Sequence, residues 1–526
     1  MKIIRYIFTG ILALTLMPSC TGELDQYPHI ETTSKDVYTS VENYKMVLAK
    51  LYASFVINGQ ERGGGNRDFA TNKGYDYMRS YINLQELPTD EVAYTWSGVI
   101  FDLCYHQWNA SDIFASDMYY QIYFTISICN EFLRNSTEEA ISGFSHSEQT
   151  RLRAFRSEAR FLRALAYWHA LDLFGNAPFV DENDPVGGFL PPQYNSRQLF
   201  DFLDGELTVL EADLPEASAT EYARTSKAAA NALLARLYLN AGSYEAEEHY
   251  SQCIAACNKV ITSGFSLEDN YALLFNADNH LRTNEIIFAF AIDGVHTVSS
   301  GATTYFIAGS VSSSNKAQDP ADYGVASGWT SFRAKGALTS KFGNGDNRAM
   351  FFTTNQSQYV TDMQDEFTGY LFGKWTNLTD DGQTASNTAS SGACTDFPIF
   401  RLADIYLMYA EAALRGGTDP QGNTTAKALA YVNQVRTRAY GNTSGNITAG
   451  ELTLDFILDE RARELYLECV RRTDLVRFGK FTSGDYLWEF KGGQAAGKAI
   501  DDKYRLFPIP ETDLSANSNI KQNTGY

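Results

Sequence analysis

Basic charge is in deficit in this sequence: 43 Lys and Arg stand against 63 Asp and Glu, a formal charge of −20. That balance excludes nucleic acid as a partner, because binding a phosphate backbone needs a positive footprint, and it argues equally against polyanionic ligands. Cysteine is scarce, with 7 in 526 residues, and shows neither Cys-x-x-Cys pairs nor a histidine at zinc spacing, so no metal site is signalled. Cys253 and Cys257 stand one helical turn apart and read as two small core residues on one face. The patterns Gly-x-Ser-x-Gly, His-Glu-x-x-His and Gly-x-x-x-x-Gly-Lys followed by Ser or Thr are all absent, and with them the common signatures of serine hydrolases, zinc proteases and phosphate loops. Gly63-Gly64-Gly65 has no following lysine and reads as a loop tip. Asp90 and Glu91 are adjacent carboxylates, but neighbours on one turn point apart and cannot flank a glycosidic bond. They read as a pair that fixes a loop, and the chain reads as a binding protein, not an enzyme.

Long apolar runs are missing too. The stretch 7–16 is too short for a spanning helix, which needs about 20 apolar residues. With Lys2 and Arg5 before it and Leu16-Met17-Pro18-Ser19-Cys20 after it, it reads as a signal peptide comprising residues 1–19. The cleavage site resembles a bacterial lipobox, in which the thiol of Cys20 takes a diacylglyceryl group and the new amino terminus a further acyl chain. At about 0.8 kcal/mol per buried methylene, several such chains anchor a protein stably. The alternative is an ordinary secretory signal beside an incidental cysteine.

What is abundant is aromatic: 32 Tyr, 33 Phe and 6 Trp, which suits a packed helical core or flat faces for stacking. A chain of 526 residues outgrows one hydrophobic core, so it comprises several domains or one body of stacked units; with no clear linker, residues 20–526 read as one domain. Apolar residues at three- and four-residue spacings predict a helix over 151–174, ending at Gly175, and helix pairs over 226–241 with 246–262 and 400–416 with 424–440, followed by a helix over 454–468. The run 232–244, with small residues and a Gly-x-Tyr turn, is similar to a tetratricopeptide unit. Such pairs leave an apolar face wet unless they stack, so the fold class is mostly α, a tetratricopeptide-like helical scaffold. Between its helices, 62–108, 292–355 and 377–398 have no helical pattern and read as long functional loops, with strands suggested at 285–292 and 304–307.

Signature stretches throughout the mature chain add a resemblance. They include Asn83-Leu84-Gln85-Glu86-Leu87-Pro88-Thr89-Asp90-Glu91, Glu158-Ala159-Arg160-Phe161-Leu162-Arg163, Asp172-Leu173-Phe174-Gly175, Phe400-Arg401-Leu402-Ala403-Asp404, Glu460-Arg461-Ala462-Arg463-Glu464-Leu465, Arg472-Thr473-Asp474-Leu475, Phe507-Pro508-Ile509-Pro510 and Gln522-Asn523-Thr524-Gly525-Tyr526. Together they resemble the SusD/RagB outer-membrane nutrient-binding lipoproteins of Bacteroidota. The resemblance implies a lipid-anchored protein on the outer face of the outer membrane that binds oligosaccharide or polysaccharide without cleaving it and caps a SusC-like TonB-dependent transporter. The charged residues of these stretches, Glu158, Arg160, Arg163, Arg461, Glu464 and Arg472, read as ion pairs or solvated faces.

Sugars present flat C–H faces ringed by hydroxyls, so a site for them needs exposed rings and planar polar groups. Trp96, Tyr305 and Trp329 lie in Gly- and Ser-containing stretches that read as loops. By resemblance to the family's starch-binding prototype they form an aromatic arc following an α-glucan, and Arg79 hydrogen-bonds sugar hydroxyls. Where the prototype has an asparagine, this chain has Val99, so a different glycan stays open. Some relatives serve peptide uptake, the other alternative. No cofactor is expected; the prototype holds calcium, but no EF-hand-like run occurs here.

Overall fold

The computed structural model describes residues 34–61, 65–69, 71–385 and 392–526. The leader with Cys20, and Gly63-Gly64, lie outside the described residues. Eleven helices carry the argument: α1 (Val41–Ala53), α2 (Tyr77–Glu86), α3 (Ile113–Arg134), α4 (His146–Phe174), α5 (Ser196–Asp213), α6 (Lys227–Leu239), α7 (Tyr250–Ile261), α8 (Ala302–Ser310), α9 (Leu402–Leu414), α10 (Thr424–Tyr440) and α11 (Leu454–Leu465). Four short strands matter as well: β1 (Val92–Tyr94), β2 (Ile286–Phe290), β3 (Phe332–Ala334) and β4 (Phe397–Arg401).

Local sequence explains where the scaffold helices start and stop. Ser145 and Glu148 cap α4 reciprocally, and Gly175 ends it at φ 68°, a backbone conformation that glycine adopts without strain. Ser226 caps α6, a helix whose alanines at 228, 229, 230 and 232 are all buried and let its neighbours approach closely. Consecutive helices then pack on one another, α3 on α4, α4 on α5, α5 on α6 and α6 on α7, while α7 continues onto α9 and α9 onto α10. This is the stacking of antiparallel pairs that the helical periodicity predicts. Cys253 and Cys257 are buried on α7, and Tyr406 of α9 stacks on Tyr431 of α10 with ring centroids 4.5 Å apart.

Two expectations are corrected. Residues 304–307 are not a strand but part of α8, and α2 lies within a stretch read as loop. Every residue of both helices is buried. α8, almost wholly apolar and enclosed on all sides, carries no polar stripe, so its 3.6-residue period vanishes from the sequence and it passes for a strand; α2 keeps an amphipathic pattern and is hidden only by its shortness within a loop-like stretch. The strand expected at 285–292 is present as β2, paired antiparallel with β4.

Signature charges form buried networks, not solvated faces. Arg401 donates to Glu468 at 2.7 and 2.8 Å and to Glu285 at 3.1 Å, and also reaches Glu464. Arg348 holds Asp346, Glu460 and Glu464. Arg461 bridges Asp404 and Asp474. Asp90 takes two hydrogen bonds from Arg471, at 2.7 Å each, which makes it the loop-fixing group that its sequence context suggests.

Glu91 and Glu86 form a second buried joint. Glu86 accepts from the Cys469 amide at 2.6 Å and Glu91 from the Leu467 amide at 3.2 Å, so the pair ties α2 to a turn in which Leu467 and Cys469 have φ of 56° and 59°. Burial pushes the Glu86 carboxyl up to about 7, with the nearby Glu468 adding to the rise, and burial and the Glu86 charge push Glu91 up as well. Carboxyls raised in the folded state contribute stability that is complete below their unfolded pKa and disappears as pH rises through the folded one. We therefore expect urea midpoints of the wild type to fall between pH 5 and about 8 and those of Glu86→Gln to fall less. Parallel curves for the two proteins would show that the Glu86 carboxyl is not raised in the folded state.

Candidate functional site

The two tryptophans come together through one short ribbon. β1 and β3 pair antiparallel in the register Val92 with Ala334, Ala93 with Arg333 and Tyr94 with Phe332, and the Thr95 amide extends the ladder to the Ser331 carbonyl at 3.0 Å. Trp96 therefore leaves the first strand at the end where Trp329 enters the second. Trp96 is 48% exposed, and Trp329 is half-buried. Between Trp329 and the strand stands Thr330, at φ 50°. A β-branched residue there is an outlier, held in place by the Ser313 amide, which donates to the Thr330 hydroxyl at 2.7 Å.

The end of α8 supports the same corner. Its Ala308 carbonyl takes the Trp329 amide at 2.7 Å, and its Gly309 carbonyl takes the Ser331 amide at 2.7 Å. A Cβ on Gly309 would lie 2.7 Å from the Phe332 ring, so only glycine lets the helix approach the strand this closely.

Arg79 is the polar centre. Asp76 caps α2, accepting from the Arg79 amide at 2.8 Å, and the Arg79 guanidinium lies 4.0 Å from the Tyr75 ring, 4.1 Å from Tyr305 and 6.0 Å from Trp329. Each close cation–π contact is worth about 0.5–2 kcal/mol, so the group is held flat between rings. Unlike the exposed hydrogen-bonding group expected from sequence, Arg79 is only 5% exposed; it donates to the Ser300 carbonyl at 2.6 Å, and its Nε is enclosed without an acceptor.

Tyr305 differs from its expected place. It sits on α8, not in a loop, and is fully buried. Arg79 lies over its ring, Phe332 packs at 4.5 Å, and its hydroxyl donates to Asn83 at 3.0 Å; burial pushes the phenol well above its ordinary pKa. In this structure it backs Arg79 and offers no face to solvent. Tyr75 and Tyr94 are site residues that sequence reasoning did not single out. Tyr75 stands just before the Asp76 cap of α2, and Tyr94 ends β1 two residues before Trp96, their rings 6.4 Å apart; closeness in sequence to Arg79 and Trp96 is the signal that points to them. Val99 is 52% exposed in the turn beyond Trp96.

The site is an open face. Hollows also occur elsewhere on the scaffold, one of about 480 Å³ lined by Asp172, Tyr244, Asp502 and Arg505 among others. Among the described residues no cluster of three or more His, Cys, Asp or Glu is arranged to hold a metal ion, and no helix is long and apolar enough to cross a membrane.

Comparison with known proteins places this geometry. Residues 352–526 match the model of the SusD family. The chain is 33% identical to the starch-binding protein SusD of Bacteroides thetaiotaomicron, with 100% of this chain and 99% of that protein aligned. It is 26% identical to the SusD-like protein P25 of Formosa agariphila, over 97% of each. Among solved structures, surface glycan-binding protein A from Bacteroides thetaiotaomicron in complex with laminarihexaose superposes with a TM-score of 0.70 at 18% identity, covering 92% of this chain and 100% of that one; at that identity the likeness shows the fold. The full-length identity to SusD, with the matching helical scaffold, decides the assignment: the chain belongs to the SusD family.

Proposed function

We propose that this protein is a cell-surface glycan-binding lipoprotein that captures starch or another α-glucan and delivers it to a SusC-like TonB-dependent transporter in the outer membrane. Residues 20–526 act as one unit, tethered through acylated Cys20, and no chemical step takes place. The observation that carries the reading is the pair of solvent-reaching tryptophans, Trp96 and Trp329, set at one end of the β1–β3 ribbon beside Arg79. Rings of this kind meet the C–H faces of sugars, and Arg79, 5% exposed with its Nε enclosed by protein, meets a hydroxyl only through the small part of its guanidinium that stays exposed. The starch-binding relative supports α-glucan over other ligands, and the laminarihexaose complex of the structural neighbour supports the broader class.

Peptide recognition is less well supported, because the face offers aromatics and one guanidinium in place of opposed charges. Exposed Val99 adds no amide for a further hydrogen bond.

Native electrophoresis through gels containing starch, dextran or laminarin tests the proposal. Starch is expected to retard the wild type, and Arg79→Ala to weaken that retardation without changing the melting temperature by more than a few degrees. Equal mobility in every gel would contradict a glycan receptor of these classes, and retardation by laminarin alone would contradict the α-glucan assignment.

A further inference from the structure

We propose that the glycan face continues beyond Trp96 along the aromatic track Phe101, Tyr105, Phe490 and Tyr359, so that the ligand is a long linear polysaccharide in preference to a short oligosaccharide. The proposal rests on the reading of Trp96 and Trp329 as a glycan site and extends it.

The chain itself leads from one cluster to the other. Trp96 and Phe101 are joined by Ser97, Gly98 and Val99, all exposed, and by buried Ile100, a link that spans at most about 18 Å. Phe101 and Tyr105 are four residues apart on the short helix Phe101–Tyr105 and so share a face; their rings are 5.3 Å apart, and Tyr105 lies 6.0 Å from Phe490. All three rings are half-buried. All three pack one side against the core and keep part of their surface in solvent, unlike Trp108 and Trp488, which are enclosed.

Phe490 provides an independent reason to see function here. Its φ is 66°, a left-handed conformation that a bulky side chain avoids. Both neighbours are pinned so as to impose it: the Glu489 carboxylate accepts the amides of Gly336 at 2.6 Å and Ala337 at 3.3 Å, and Lys491 donates to the carbonyls of Lys480, Ser483 and Tyr486 at 3.1, 2.7 and 2.9 Å. The fold thus holds a strained residue whose ring it leaves partly in solvent. Phe490 is one of ten non-glycine residues at positive φ among the described residues, and residues held in this way cluster at ligand clamps and switch regions.

The track ends on Tyr359, 54% exposed. Its ring lies against bare backbone, since a Cβ on Gly336 would fall 2.1 Å from Tyr359 Cδ1, and Gly336 is the residue whose amide Glu489 holds. Asp102 adjoins Phe101, and the charge of Asp362 acts on the Tyr105 phenol. Rings interleaved with carboxylate acceptors suit a chain of neutral polyols, each unit adding a weak contact that multiplies along a polymer.

Maltoheptaose by titration calorimetry and amylose by affinity electrophoresis separate the two regions. Phe490→Ala and Tyr359→Ala are each expected to weaken amylose binding by about fivefold or more and maltoheptaose binding by about twofold or less, whereas Trp329→Ala weakens both. Tyr359→Ala removes an exposed ring and keeps the test independent of folding. Unchanged amylose binding in both track variants would overturn the extension while leaving the Trp96–Trp329 reading intact, and would assign the patch to protein contact. Loss of both ligands on Phe490→Ala with none on Trp329→Ala would overturn that reading too, and a wild type that binds neither probe would overturn both.

Discussion

The double variant Trp96→Ala, Trp329→Ala is expected to bind glycan roughly a hundredfold more weakly than the wild type, a loss of about 2.8 kcal/mol. Two sugar-stacking rings account for it, each supplying about 1 kcal/mol beyond the area it covers. The scaffold is expected to survive. Trp96 is half in solvent, and Trp329 precedes its strand with its backbone, not its ring, bonded to α8, so circular dichroism and the melting temperature remain close to wild type. A variant that melts normally and binds normally would show that these rings are not the sugar platform. The single variants are informative in a different way: the two residues leave and enter the same end of one ribbon, so a ligand spanning both gives coupled losses, whereas independent contacts give additive ones.

The largest effect on stability is expected from Arg401→Leu. Arg401 is 1% exposed and gathers Glu285, Glu464 and Glu468 around one guanidinium. Removing it leaves buried carboxylates short of a partner, and uncompensated buried charge costs about 3–5 kcal/mol. Arg438 also reaches Glu285 and Glu464, Arg348 reaches Glu464, and Lys374 reaches Glu468, so each carboxylate keeps at least one cation and folding is weakened without being abolished. Urea unfolding should show the midpoint falling with an unchanged slope. A change below about 1 kcal/mol would mean that the remaining cations neutralise the cluster alone, as surface pairs of small net worth do.

Part of the scaffold is legible because helices such as α7 and α10 are half-wet. α10 spans the predicted 424–440, and the predicted turn at Gly242-Ser243-Tyr244 does separate α6 from α7. Periodicity fails where a wholly apolar helix is enclosed, which is why α8 reads as a strand, whereas α2 keeps its periodicity and is hidden by its shortness within a loop-like stretch. The same failure shaped the reading of the site. Trp96 and Trp329 were recognisable from polar, glycine-bearing surroundings, and the structure brings them to one end of a ribbon. Tyr305 had similar neighbours in sequence, but it belongs to an enclosed helix whose burial only the tertiary packing reveals. The sandwich of Arg79 between Tyr75 and Tyr305 joins residues over two hundred positions apart, and no local pattern encodes that. Likewise the charges of the signature stretches identify a family in sequence, while only the fold shows that Arg348, Arg401 and Arg461 neutralise carboxylates from distant segments.

The central claim is that the Trp96, Trp329 and Arg79 corner binds a neutral α-glucan. Titration calorimetry of the chain from residue 21 onward with maltoheptaose tests it most directly. The account predicts saturable heat with a Kd between about 1 μM and 1 mM, lost in the double tryptophan variant. No heat at millimolar ligand from a folded wild-type protein would contradict it.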